Sequence, residues 1–233
     1  MTSHAGRAMA ALSLALVPLA LSLPAAGAAP VAPVAPVQPR GEILQLEDAI
    51  SLLVEAEEDR SGYTPTAFPH WNAGRDATDG CTTEREVLIA EAVDEPRVSA
   101  GCAISGGRWT SPYDQQSTTR VGSMTVDHVV PLAEAWGSGA AQWTAERREA
   151  FANDQGSPYA LTAVTKRVAR EKGDQDIADW VPPAEQAVCP YVGHWVGTKL
   201  RWGLTPDKAE LEALKLFADN SCETTVVIVN RVP

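Results

Sequence analysis

Four cysteines, at positions 81, 102, 189 and 222, constrain the fold of this chain more than any other feature. None lies in a C-x-x-C pair, so a zinc site of that type is not expected. Their meaning depends on compartment, and the N-terminus sets it. Arg7 precedes an apolar run from Met9 to about Leu23, which ends in small residues at Ala26-Gly27-Ala28. That is the layout of a secretory signal peptide. Pro18 and Pro24 break the run, and it is short for a membrane span of about 20 apolar residues. No later stretch is long and apolar enough to span, so no stable membrane association is expected. In an exported chain an even cysteine count favours disulfides. Of the pairings open to four cysteines, Cys81–Cys102 and Cys189–Cys222 are expected, because each closes a local loop between neighbouring elements.

The organisation that follows is a signal peptide over 1–28, a linker over 29–41 and a single domain over 42–233. The linker reads "APVAPVAPVQPR", with Pro at every third position, which favours extended and poorly packed chain. The remainder is long enough to bury a core without help. The formal net charge is −11. Such a chain does not bind polyanions through its whole surface, so any nucleic-acid contact must rest on a local basic patch and on metal ions.

Periodicity gives a coarse map. "EILQLEDAISLLVEAEEDR" spaces Ile43, Leu46, Ile50 and Leu53 as an amphipathic helix. A Gly- and Pro-rich loop follows, then a helix over "TTEREVLIAEAV" capped by Thr82 or Thr83. "GCAISGGRWTSPYD" has the composition of a hairpin. "SMTVDHVV" favours strand, "PLAEAWGSGA" a short helix stopped by Gly137 and Gly139, and "TAERREAFAND" a helix capped by Thr144. "ALTAV" is a second strand, and "TKRVAREKGD" a basic helix ending at Gly173. The stretch from Met124 to Gly173 is therefore strand, insertion, strand, helix. A helical rhythm interrupted by Pro190 comes next, then a helix capped by Thr205 with Pro206 at its first position, and a final strand in "TTVVIVN".

Beyond the leader there are three histidines, His70, His128 and His194. His70 and His194 read as packing or surface residues. His128 differs because Asp127 precedes it within the greasy stretch "MTVDHVVPLAEAW". Charged groups in such surroundings must be paired or bind a metal. On a strand, adjacent side chains point to opposite faces, so the strand ends here or one residue leaves its pattern. Lys166, Arg167, Arg170 and Lys172 place four positive charges on the helix after the second strand, suited to phosphate contacts. The tryptophans at 109, 136, 143, 180, 195 and 202 read as core. No G-x-S-x-G elbow is present, which removes the serine-hydrolase reading.

"DHVVPLAEAW", followed in order by "FAND", "LTAV" and "KGDQDIADW", resembles the secreted HNH endonuclease family proteins of the DUF1524 type. The flanking "DGC", "EVLI", "GGRWTSPYD" and "SGA" agree, and the resemblance runs from about Asp79 to Cys222. It implies an α+β fold, mostly helical, built around a ββα-metal core and stapled by two disulfides. It implies a metal-dependent endonuclease that hydrolyses phosphodiester bonds of DNA or RNA outside the cell, with no protein partner inferable. His128 is then the general base, and Asp127 a ligand to a divalent metal, Mg²⁺ first, with Mn²⁺ and Zn²⁺ open. Among the basic residues on the helix after the second strand, Arg170 and Lys172 are the expected nucleic-acid contacts. The chain departs from the family where an Asn is expected as second metal ligand: Ala169 stands there. Tyr159 and Ala160 stand where a further polar residue is expected. These departures leave a second reading, a catalytically impaired fold acting as a secreted binding or structural module.

Overall fold

The C-terminal run "VVIV" is β-branched throughout, and it needs a partner strand to satisfy its backbone. In the computed structural model, which describes residues 41–232, that partner is β1, Glu42–Gln45. The two pair antiparallel, Glu42 opposite Val229 and Gln45 opposite Val226. The expected long helix over 42–60 is thus corrected. Its first residues are taken by the strand, and helix α1 spans only Leu46–Ser51. Leu46, Ala49 and Ile50 are buried, whereas Ile43 lies on the strand and is 67% exposed. The leader and most of the linker lie outside the described residues.

Helix α2, Thr83–Ala90, starts where Thr82 accepts the Arg85 N–H. The hairpin β2 (Arg97–Ser99) and β3 (Ala103–Ser105) follows, then the short antiparallel pair β4 (Trp109–Thr110) and β5 (Ser117–Thr118). The hairpin turns at Gly101-Cys102, earlier than the Gly106-Gly107 pair. Strand β6 is Met124–His128, helix α3 Leu132–Gly137, helix α4 Ala145–Ala152 with its Thr144 cap, and strand β7 Leu161–Thr165. Helix α5, Lys166–Lys172, follows β7 directly, capped by the Thr165 hydroxyl. It stops at Gly173, whose φ of +54° suits a residue without a Cβ. Strands β6 and β7 pair antiparallel with His128 opposite Leu161 and Asp127 opposite Thr162. The expected order of strand, insertion, strand and helix is present in this stretch.

Helix α6, Glu185–Trp202, runs on through Pro190, which sits exposed near its start. Helix α7 is Lys208–Asp219. Its cap is Asp207, not Thr205: the Asp207 carboxylate accepts the Glu210 N–H at 2.8 Å. Thr205 instead donates its hydroxyl to the Ser138 carbonyl. A Cβ at Gly193 would lie 3.1 Å from the Thr225 side chain, and one at Gly197 3.2 Å from the Ile228 carbonyl. These two glycines therefore let α6 lie close against strand β8, Val226–Val229.

Two apolar clusters result. The larger gathers Tyr191, Trp195 and Leu200 of α6 with Leu46, Leu214, Val227 and Val168. The smaller packs Val87 and Leu88 of α2 and Trp109 against Met124, Val126, Leu161 and Ala163. The β6–β7 pair lies between them, because Val164 of β7 belongs to the larger cluster. Both expected disulfides form, Cys81–Cys102 and Cys189–Cys222. Among the described residues no helix is long and apolar enough to cross a membrane.

Candidate active site around the Asp127–His128 pair

Strand β6 ends at His128; the Val129 N–H still bonds the Ala160 carbonyl, and Pro131 then prevents continuation. Alternation sends the Asp127 and His128 side chains to opposite sides, and the hydrogen-bond and ring partners of the two side chains do not overlap. Asp127 Oδ2 accepts the Lys172 ammonium at 2.8 Å and the Tyr113 hydroxyl at 3.1 Å. The same ammonium donates to the His128 carbonyl at 2.7 Å. Lys172 is fully buried. Burial raises the Asp127 carboxyl above its ordinary value, and the Lys172 charge opposes that rise.

His128 is held as a specific tautomer. Its Nε2 lies 2.8 Å from the Ala152 carbonyl, an acceptor only, so Nε2 carries the proton and Nδ1 the lone pair. The ring stacks on Trp71, with centroids 5.1 Å apart and planes 21° off parallel. Phe151 lies nearly parallel on it at 6.4 Å, and His70 meets it edge-on at 6.1 Å. Burial pulls the imidazole down to about 4, so it is neutral at physiological pH. His70 donates from Nδ1 to the Phe68 carbonyl at 2.8 Å, so in this ring Nδ1 is the protonated nitrogen. Sequence reasoning missed His70 and Trp71 as neighbours of this ring. The signal available was "PHWN", a polar-aromatic run in a loop, where functional groups concentrate.

The basic helix splits. Lys172 lies inside, against Asp127, and offers no ammonium to solvent, so the expected nucleic-acid contact at 172 is not where the structure places it. Arg167 bonds Asp114 and Glu171. Arg170 and Lys166 are exposed. His194 lies elsewhere, stacked on Tyr159 at 4.4 Å.

The donor set around Asp127 does not fit a resident divalent ion. One carboxylate oxygen is already held by an internal cation and a hydroxyl. Ala169 offers a methyl group that packs on the larger core cluster. Asn153 is engaged with Asn72 and Pro69, and Asp154 with Arg201 and Trp202. Among the described residues, the three acids whose oxygens converge are Glu58, Glu134 and Asp176. That cluster already contains Arg60 and Lys199, each bonded to Glu134 at 2.6 and 2.7 Å.

This strand pair, helix and histidine fall within the stretch that defines a nuclease-related class. Residues 89–215 match the family described as GmrSD restriction endonucleases, C-terminal domain, and the chain belongs to that family. It is also 37% identical over 171 residues to a protein of Arthroderma benhamiae called an uncharacterized secreted protein, covering 73% of this chain and 81% of that one. No solved structure matches it.

Proposed function

We propose that this chain is a secreted HNH-type nuclease that hydrolyses nucleic-acid phosphodiesters, with His128 as its general base. The observation that carries this reading is the fixed, neutral tautomer of His128, whose Nδ1 lone pair is left to take a proton. Membership of a restriction-endonuclease domain family supports the reaction class. The secreted name of the relative and the two disulfides support export. In the proposed step, Nδ1 removes a proton from water as its oxygen bonds to phosphorus. The leaving oxygen departs with the P–O electron pair and takes a proton from solvent. Trp71 and Phe151 fix the ring plane, and the Ala152 carbonyl fixes its tautomer. Arg170 and Lys166 are the exposed cations on α5 available to the phosphate backbone.

The test is cleavage of supercoiled plasmid, single-stranded DNA and RNA, in buffer with Mg²⁺, by the wild type and by His128→Ala. A general base contributes about 10² to 10⁴ in rate, and the variant is expected to lose that factor on the substrate the wild type cuts. Equal rates in the two proteins, or no cleavage by either, would overturn the assignment.

A further inference from the structure

A second polar constellation lies along the outer edge of β7. A cavity of about 640 Å³ is lined there by Glu91, Tyr159, Thr162, His194 and, at its rim, the exposed Arg75. This is the size range of small-molecule sites. Leu161 and Thr162, the cross-strand partners of His128 and Asp127, also line it, so it adjoins the strand pair that carries the base. The Glu91 carboxylate is anchored from one side only. Its Oε2 accepts the Ala163 N–H at 2.8 Å and the Thr162 hydroxyl at 3.3 Å. Its Oε1 accepts from no group among the described residues. Burial raises this carboxyl above its ordinary value, which marks an acceptor short of donors. On the same wall the Tyr159 and His194 rings stack with planes 24° apart. Neither imidazole nitrogen has a hydrogen-bond partner among the described residues, and burial keeps the ring neutral, near 4.

An aromatic platform beside a one-sided carboxylate defines its ligand by chemistry. The flat face calls for a planar ring, worth having for any base because every base has a π-face. The unpartnered Oε1 calls for donors with no acceptor beside them. Guanine presents N1–H and N2–H₂ together. Adenine and cytosine pair one amino group with a ring nitrogen acceptor, and uracil flanks its single N–H with carbonyls, so each would set an acceptor against Glu91. We propose that this cavity binds an unpaired guanine base of the substrate, its edge on Glu91 and its face on the Tyr159–His194 pair, with Arg75 at the rim for the phosphate. The substrate class rests on the nuclease reading; the base-binding site does not.

Calorimetric titration of the full secreted chain with GMP, AMP, CMP and UMP tests this without any cleavage step. GMP is expected to bind one to one, about tenfold or more tighter than the others, because guanine alone brings donors to Oε1 with no acceptor beside them. Glu91→Gln keeps an acceptor for the Ala163 N–H and is expected to lose that preference with an unchanged circular dichroism spectrum. Tyr159→Ala is expected to weaken all four. Absence of GMP binding, or a wild-type ranking without guanine preference, overturns the site even should Glu91→Gln fail to fold; so does a preference that survives Glu91→Gln. A chain that binds GMP and cuts nothing refutes the nuclease reading alone. A chain that cuts without binding GMP refutes the pocket alone.

Discussion

Replacing Lys172 with Met tests the least expected feature of the site, a fully buried ammonium beneath the Asp-His pair. The change keeps the volume of the stem but removes two hydrogen bonds, to Asp127 at 2.8 Å and to the His128 carbonyl at 2.7 Å, together with the charge itself. Removing one partner of a buried ion pair costs about 3–5 kcal/mol, because the other charge is left unpaired. The Asp127 side chain retains 12% exposure, so water reaches it and the lower half of that range applies, about 3–4 kcal/mol. The deficit must also depend on pH. The folded Asp127 carboxyl already lies above its ordinary value, and losing the ammonium raises it further. Stability tied to such a group is fully present below the unfolded value, about 3.9, and is lost as pH rises through the folded value. The variant's deficit against wild type is therefore expected to be small near pH 4 and largest at pH 7. Urea unfolding at both values measures it. Adding Asp127→Asn is expected to recover most of the loss, since no charge is then stranded. A deficit under about 1 kcal/mol, below the low end for a broken buried pair, or one equal at the two pH values would refute the reasoning.

Other outcomes follow from the same geometry. Trp71→Ala bares one face of the His128 ring, so its pKa is expected to move from about 4 toward the ordinary value near 6.5, and the acid limb of any cleavage profile with it. An unmoved limb in that variant would deny Trp71 its positioning role. Replacing Cys189 and Cys222 by Ser opens a loop with a sequence separation of 33, at an expected cost of about 4 kcal/mol by the chain-entropy relation, read from denaturant midpoints. The free protein is expected to show no stoichiometric Mg²⁺ or Mn²⁺ binding by calorimetry, because Asp127 is already paired and Ala169 offers no oxygen; a one-to-one isotherm abolished by Asp127→Ala would contradict this.

The sequence carried the fold wherever a local rule acted alone. Thr82, Thr144 and the Gly173 stop stand where capping chemistry puts them, and both disulfides pair as loop closure suggested. It misled where a distant partner decided. Residues 42–45 have helical spacing, but the edge of β8 claims their backbone. At the α7 start, Thr205 was drawn off by the Ser138 carbonyl, leaving Asp207 to cap. The site divides in the same way. Asp127 and His128 were legible from adjacency in an apolar run, and their opposed directions from strand alternation. That Lys172 turns inward could not be read, because helical phase alone does not say which face meets β6. Trp71 and His70 reach the ring from a loop with no periodic signal, and only the folded chain brings them there.

The central claim is that a neutral His128 takes the proton in phosphodiester cleavage, and the pH dependence of kcat/KM tests it most directly, with His128→Ala alongside. Wild-type cleavage is expected to hold level from pH 7 down to about pH 5 and to fall near pH 4, where the buried ring protonates. The variant is expected to be slower throughout by about 10² or more, without that limb. An acid limb near the ordinary imidazole value, or a His128→Ala protein that cuts as fast as the wild type, would contradict the account.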